Sequence, residues 1–316
     1  MKDFQGLALR SPEELHLFYE EFLPGCMPPA RQQGVAVKTT IQQKVNQEVL
    51  SLIPNITYAQ VPGWFGVSGR DLRMSVICPK IVPGHEKLPV VLWICGGAYL
   101  DVDENVWMPQ MVHLARRGFI IASAQYRTSN QAAWPAPLTD VKSAVRYLRA
   151  NAERYAIDPK RVYVMGESAG GTFATLCSVT NGDRTYDEGD NLEYSSKVQK
   201  AVDFYGLVDF HAFDALANEV PGYDDPVARA VWYFRDHMDE GSSFYQITSK
   251  TPPTLIFHGT EDALIPVRQS ERYYERLQAC GVRSDLYIIE GAGHGDDRFY
   301  QDNIADIIAE FLNEPD

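Results

Sequence analysis

The sequence predicts an α/β fold in which a mostly parallel central sheet is covered by helices on both faces. Short apolar runs alternate with longer helix-type segments from residue 56 to residue 311, and such alternation is typical of parallel sheets. Several apolar runs end in Gly-rich loops, at the sheet edge where functional loops lie. With 316 residues, the chain suits one large domain with an insertion better than two equal domains.

The N-terminal segment precedes this regular pattern. Ser11-Pro12-Glu13-Glu14 predicts a helix start, with Ser as the cap and Pro at the first helical position. The helix should run to Phe22 and end before Pro24-Gly25. We therefore assign residues 1–54 to a partly helical leader, a candidate lid or dimer arm, and residues 55–316 to the main domain.

From residue 56 the predicted elements follow in a regular order. Residues 56–61 and 72–78 alternate in polarity around a turn-rich stretch, which predicts an antiparallel pair at the sheet edge. The further predicted strands are residues 90–95, 119–125, 162–165, 201–205, 255–258 and 286–290. The predicted helices are residues 106–117, 138–155, 168–180, 267–280 and 299–311. Residues 210–250 break the rhythm and are rich in aromatic side chains, so we expect a small helical cap there.

One junction between a predicted strand and helix carries Gly166-Glu167-Ser168-Ala169-Gly170. The pattern G-x-S-x-G in this position is typical of a nucleophile elbow, a strained turn that exposes the serine hydroxyl. A Cβ at either flanking glycine would clash with the backbone of so tight a turn. The motif alone is weak, because a chance match in a chain of this length has a probability of about one in ten.

Three further loops at predicted strand ends strengthen this interpretation. One strand runs into Cys95-Gly96-Gly97-Ala98-Tyr99, a second into Glu261-Asp262, and the last into Gly293-His294. The chain order is therefore oxyanion loop, Ser, Asp, His, which differs from the orders found in chymotrypsin and subtilisin. The spacing between Ser168 and Asp262 leaves room for a strand and a cap, and the spacing between Asp262 and His294 leaves room for one helix and one strand.

From about residue 55 to residue 311 the chain resembles the α/β-hydrolase esterases of the hormone-sensitive-lipase and feruloyl/acetyl-xylan-esterase type. The segments that carry the resemblance are residues 93–99, 140–148, 157–162 and 166–171, with the Asp262 and His294 loops. Two positions depart from the pattern, because members usually carry His at the position of Cys95 and often Gly at that of Ala98. The resemblance implies an α/β-hydrolase fold that hydrolyses carboxylic esters.

The predicted chemistry assigns a role to each loop. Ser168 is the candidate nucleophile, His294 the base that withdraws its proton, and Asp262 the group that fixes the imidazole tautomer. The oxyanion would be bound by the backbone N–H groups of Gly97, Ala98 and Ala169. The candidate substrate-binding residues are Tyr99 and the cap aromatics Trp232, Tyr233 and Phe234. This chemistry requires no metal and no organic cofactor.

Several residues and functions compete with these assignments. Asp209 also follows a predicted strand and is the rival for the acid. Asp296 and Asp297, beside the candidate base, could suggest a metal, but we interpret them as an N-cap cluster for the last helix. Cys95 is expected to be a buried apolar residue rather than a second nucleophile. The alternative functions are an arylformamidase or other amidase, a prolyl-type peptidase, and a non-catalytic binding protein of the same fold.

Composition narrows the range of partners. The formal net charge of −13 makes nucleic acid and anionic membranes poor partners. Residues 1–10 lack the basic start and apolar run of a signal peptide. The sequence also contains no run of about twenty apolar residues, the length that a membrane-spanning helix requires. The five cysteines are odd in number and scattered, which favours reduced thiols. We therefore expect a cytoplasmic protein that acts on a small-molecule ester, and a homodimer is left open.

Overall fold

A computed structural model describes residues 40–63, 66–80, 85–213 and 233–315. The chain divides into two compact units, Met1–Asn46 and Gln47–Asp316. Of the first unit, residues 40–46 are described, and they contain neither helix nor strand. The predicted leader helix lies outside the described residues. The first strand begins at Leu50, so the leader ends earlier than the predicted boundary at residue 54.

Eight strands of the described residues form one sheet. They are β1 (Leu50–Pro62), β2 (Gly69–Pro79), β3 (Leu88–Ile94), β4 (Ile120–Ala124), β5 (Ile157–Glu167), β6 (Ala201–Phe204), β7 (Thr254–Gly259) and β8 (Ser284–Ile289). Their order across the sheet is β1-β2-β4-β3-β5-β6-β7-β8. β2 pairs antiparallel with β1 and β4, and the remaining neighbours pair in parallel. The mostly parallel sheet with an antiparallel pair at one edge is thereby confirmed.

The helices agree with the prediction in order and differ at some boundaries. They are α1 (Met108–Ala115), α2 (Ala136–Ala150), α3 (Ala152–Tyr155), α4 (Ala169–Val179), α5 (Met238–Gly241), α6 (Ser243–Gln246), α7 (Arg268–Ala279) and α8 (Asp302–Asn313). The last helix begins at Asp302 because Asp297–Tyr300 forms a separate 3₁₀ helix. The Asp296 side chain caps this 3₁₀ helix by accepting a hydrogen bond from the Arg298 N–H. The prediction that Asp296 caps the last helix is therefore wrong.

The central strands are buried on both faces, as parallel strands between two helical layers should be. In β3, Leu92 packs into the core shared with α2 and α4, whereas Trp93 packs into the core shared with α1 and α8. Both side chains are fully buried. This alternation confirms that helices cover both faces. Among the described residues, none of the helices is long and apolar enough to cross a membrane.

A buried carboxyl on β6 makes the stability of this fold depend on pH. Asp203 is fully buried, and its Oδ1 accepts a hydrogen bond of 3.0 Å from the Gly206 N–H. Its Oδ2 has no partner within the described part of the chain. Burial raises the pKa of Asp203 to about 7, although the charge of His258 and the Gly206 N–H oppose the rise.

We expect the Asp203→Asn variant to be more stable than the wild type at pH 8. An unfolded aspartate loses its proton near pH 4 and the folded Asp203 near pH 7, so the wild type binds more protons when folded and loses stability as the pH rises between these values. The difference between the two proteins should widen by about 3 kcal/mol from pH 5 to pH 8. Urea unfolding at both pH values measures it, and a difference that does not vary with pH would contradict the expectation.

Candidate active site

Ser168 lies at the turn between β5 and α4, where the backbone is strained. Its φ of 54° and ψ of −125° are unusual for a residue with a side chain. The Ser168 N–H donates a hydrogen bond of 2.9 Å to the Phe204 carbonyl of the neighbouring strand. A Cβ at Gly166 would collide with the Gly170 carbonyl, and one at Gly170 with the Ile94 carbonyl. The two glycines therefore allow a turn tight enough to present the serine side chain.

His294 and Asp262 complete a line of hydrogen bonds with this serine. His294 Nε2 lies 2.9 Å from Ser168 Oγ, and His294 Nδ1 lies 2.7 Å from Asp262 Oδ2. Because a carboxylate can only accept hydrogen bonds, Nδ1 carries the ring hydrogen and Nε2 is free to accept from the serine hydroxyl. The structure thus brings together three side chains from loops that follow β5, β7 and β8.

The Asp262 carboxylate is buried and fully engaged. Its Oδ1 accepts hydrogen bonds of 2.9 Å from the N–H groups of both Leu264 and Ile265. Burial alone would raise the pKa of Asp262, but interactions with His258 and His294 outweigh it and hold the pKa below the usual range. Asp262 therefore stays ionised and can hold the His294 ring in one tautomer.

The loop after β3 lies beside the serine. A Cβ at Gly96 would come within 2.8 Å of Ser168 Cβ, so the next residues, Gly97 and Ala98, are close to the nucleophile. Ala169 is the first residue of α4, and the first N–H groups of a helix have no partner within it. Among the described residues, none accepts a hydrogen bond from the N–H of Gly97, Ala98 or Ala169. These three groups are available to a ligand atom.

The chain matches the BD-FAE family over residues 77–277. It belongs to the BD-FAE family. Esterase LipC of Mycobacterium tuberculosis is 31% identical over 221 residues, which cover 66% of this chain and 53% of that protein. The chain thus spans about half the length of the curated relatives it matches.

Solved structures similar to this BD-FAE chain are α/β-hydrolase esterases. The acetyl ester-xyloside bifunctional hydrolase from Caldicellulosiruptor lactoaceticus has 27% identity and a TM-score of 0.61, covering 77% of this chain and 88% of its own. A truncated form of a carbohydrate esterase from gut microbiota has a TM-score of 0.68 at 24% identity, covering 85% and 97%. The α/β-hydrolase fold implied by the sequence is confirmed.

Asp209, the rival candidate for the catalytic acid of this BD-FAE chain, contacts groups other than His294. Asp209 Oδ1 accepts hydrogen bonds from the Ala212 N–H at 3.0 Å and the Tyr245 hydroxyl at 3.1 Å. Its Oδ2 lies 2.9 Å from Arg272 Nη2. Asp209 therefore caps the helical turn that begins at residue 210 and pairs with α7, while Asp262 contacts the imidazole.

Two of the four predicted substrate-binding side chains lie in the core. Tyr99 is 3% exposed and its hydroxyl lies 2.7 Å from Thr172 Oγ1. Phe234 is fully buried, with its ring centroid 5.4 Å from that of Tyr99. This packing corrects their assignment, since neither side chain presents a free face to a substrate. Tyr233 is half-buried and donates to the Ala132 carbonyl at 3.1 Å, and Trp232 lies outside the described residues.

Two residues near the imidazole were missed by sequence reasoning. His258 is buried, and its Nε2 lies 3.4 Å from Asp262 Oδ2 and 2.8 Å from the Ile265 carbonyl. The Tyr205 ring centroid lies 4.7 Å from that of His294. Only their positions in the sequence could have indicated a place near the site, because His258 lies near the end of β7 and Tyr205 directly follows β6. His258 supports the acid, and Tyr205 packs against the base.

No metal centre is built by the residues that the structure describes. Within them, no group of three or more His, Cys, Asp and Glu side chains could hold an ion. Asp296, one of the acids considered for such a site, lies 2.6 Å from Arg298 Nη1. The Asp296 carboxylate therefore caps the 3₁₀ helix and forms an ion pair with Arg298.

Proposed function

We propose that this BD-FAE chain is a serine carboxylic-ester hydrolase that works through an acyl-enzyme. The observation that carries the proposal is the line of hydrogen bonds from Asp262 through His294 to Ser168. A serine hydroxyl is a weak nucleophile until a base withdraws its proton. Here the base is already in contact with the hydroxyl and is held by an ionised acid. The esterase relatives named above support the same reaction class.

In the proposed mechanism, Ser168 Oγ attacks the ester carbonyl while His294 Nε2 takes the hydroxyl proton. The negative charge that forms on the carbonyl oxygen is bound by the N–H groups of Gly97, Ala98 and Ala169. Losing one donor of this kind costs about 3–4 kcal/mol of transition-state stabilisation. The His294 imidazolium then gives its proton to the leaving alcohol. A water molecule then attacks the acyl-enzyme carbonyl while His294 Nε2 takes one of its protons. The ester bond to Ser168 breaks, Ser168 Oγ regains a proton from His294, and the carboxylic acid leaves.

The proposed substrates are short-chain, acetyl or aryl esters. An acetyl ester is named for the Caldicellulosiruptor lactoaceticus relative, which is similar to this chain in sequence and fold. The segment between β6 and β7 is short for a cap, and its described part packs Phe234 into the core. The net charge of −13 suits neutral substrates better than polyanions.

We expect kcat/KM to be highest for acyl chains of about two to six carbons. Each methylene that fits the acyl site adds at most about 0.8 kcal/mol of binding free energy, and a small cap leaves room for few of them. A series of p-nitrophenyl esters from acetate to palmitate, with methyl ferulate and acetylated xylan, measures the preference. The Ser168→Ala variant supplies the blank rate.

The same series separates the alternatives. A maximum at palmitate, or a jump in rate above the solubility limit of the substrate, would point to a lipase-type site. Faster turnover of an anilide than of the matching ester would favour an amidase. If no ester is turned over above the blank, the proposed function is wrong.

A further inference from the structure

The loop that supplies two of the proposed oxyanion donors is not held by the side chain of its first residue. Cys95 stands where the esterases that this chain resembles usually carry His. Its buried sulfur lies 3.1 Å from Trp93 Nε1 and 3.8 Å from Ser123 Oγ, both on the sheet. Burial raises the pKa of Cys95 to about 12, so the thiol stays neutral. Another group must therefore position the loop.

Two side chains hold the backbone where the loop begins. The Tyr126 hydroxyl donates a hydrogen bond of 3.0 Å to the Cys95 carbonyl. On the other side of the same peptide unit, the Gly96 N–H donates to Glu167 Oε1. Glu167 directly precedes Ser168, so a single side chain connects the elbow to the loop that leads to Gly97.

Glu167 is itself fixed in place. It is 7% exposed, and its Oε1 also accepts a hydrogen bond of 3.3 Å from the Trp107 indole N–H. The Trp107 ring stacks on Tyr300, with centroids 4.4 Å apart and planes at 17°. Burial raises the pKa of Glu167, while the Gly96 N–H, the charge of His294 and the Trp107 indole oppose the rise. Both direct partners are donors, which requires an acceptor oxygen at this position.

We propose that Glu167 is a positioning residue that places the Gly97 and Ala98 N–H groups for the oxyanion by holding the Gly96 N–H. The inference rests on the proposed function, since it concerns the same ester hydrolysis. What matters is an acceptor oxygen at the reach of a glutamate, and the negative charge is secondary. The anchor acts in the transition state, because the oxyanion forms only there, so its loss lowers kcat and leaves KM nearly unchanged.

Three substitutions of Glu167 test separately the reach, the charge and the volume of its side chain. Glu167→Gln keeps an oxygen at the same reach without the charge, Glu167→Asp keeps the charge but is one methylene shorter, and Glu167→Met keeps the volume without a comparable acceptor. We expect kcat within about fivefold of wild type for Gln. For Asp and Met we expect kcat to fall about 30-fold, since small misplacements of catalytic groups cost up to about 100-fold. KM should stay within about threefold in all three variants.

The matched control is Glu104→Ala. Glu104 is also a buried glutamate, but its Oε2 accepts from Gln125 Nε2 at 2.8 Å and not from the Gly96 N–H that Glu167 holds. Its kcat should stay within about twofold of wild type, even if its melting temperature falls. Melting temperatures of all variants report folding, and either Asp or Met alone decides the case if the other does not fold.

The inference is overturned if Asp retains kcat while Gln loses it, because charge would then be the decisive property. It is also overturned if Asp and Met keep the wild-type kcat, or if the substitutions raise KM instead. A wild-type protein that turns over no ester would overturn the proposed function and this inference with it, whereas an active wild type with unaffected variants overturns the inference alone.

Discussion

Replacing Ser168 with Ala should abolish ester turnover while leaving the fold intact. The three side chains in contact at the site act as a unit in comparable enzymes, where loss of the nucleophile costs about six orders of magnitude in kcat. His294→Ala should be nearly as severe, because no base would then contact the serine hydroxyl. Steady-state rates with p-nitrophenyl acetate and the melting temperatures of both variants measure the two effects.

Covalent labelling tests the same assignment without relying on turnover. An organophosphonate should add to Ser168 in the wild type and to no residue in Ser168→Ala, as read by mass spectrometry of peptides. Ser178→Ala is a matched control, because Ser178 is a buried serine of α4, the helix that follows Ser168. Likewise His113→Ala removes an imidazole that pairs with Asp302 at the surface. Labelling on any other residue would contradict the role of Ser168.

Most of the fold could be predicted because its signals are local. The apolar run of β3 and the Gly-rich segment after it mark a buried strand and its carboxyl end without reference to distant residues. The order of Ser168, Asp262 and His294 along the chain then indicates one sheet edge. The structure places these side chains within hydrogen-bond distance. The boundaries at Leu50 and Asp302 were missed, since strand and helix ends depend on pairing and capping more than on periodicity.

The errors concern side chains whose role depends on tertiary burial. Tyr99 follows the Gly-rich loop, and Phe234 lies in an aromatic run, so sequence alone cannot separate a pocket wall from core packing. Both lie in the core. Glu167 occupies the variable position of the elbow motif, which carries no expected partner. Its contacts with Gly96 and Trp107 join residues far apart in sequence, and no periodic pattern encodes such a contact.

The second large effect is expected at the acid. Asp262→Asn should lower kcat by about three to four orders of magnitude, because an amide can donate to the imidazole and favour the wrong tautomer. The surroundings of Asp262 give a further physical reason for so large a loss. Asp262 Oδ2 is 2.7 Å from His294 Nδ1 and 3.4 Å from His258 Nε2, so the amide group would face two ring nitrogens and lack the charge that stabilises the imidazolium.

Asp209→Asn is the matched comparison, since both carboxyl side chains are buried and both accept hydrogen bonds from backbone N–H groups at a loop. Asn can still cap the helical turn that begins at residue 210 and loses mainly the charge opposite Arg272. Its kcat should stay within about tenfold of wild type. Measuring kcat and melting temperature for both variants separates catalysis from stability. If Asp209→Asn lost more kcat than Asp262→Asn while remaining folded, Asp209 would be the orienting acid, and the hydrogen bond between Asp262 and His294 would not be the one that catalysis uses.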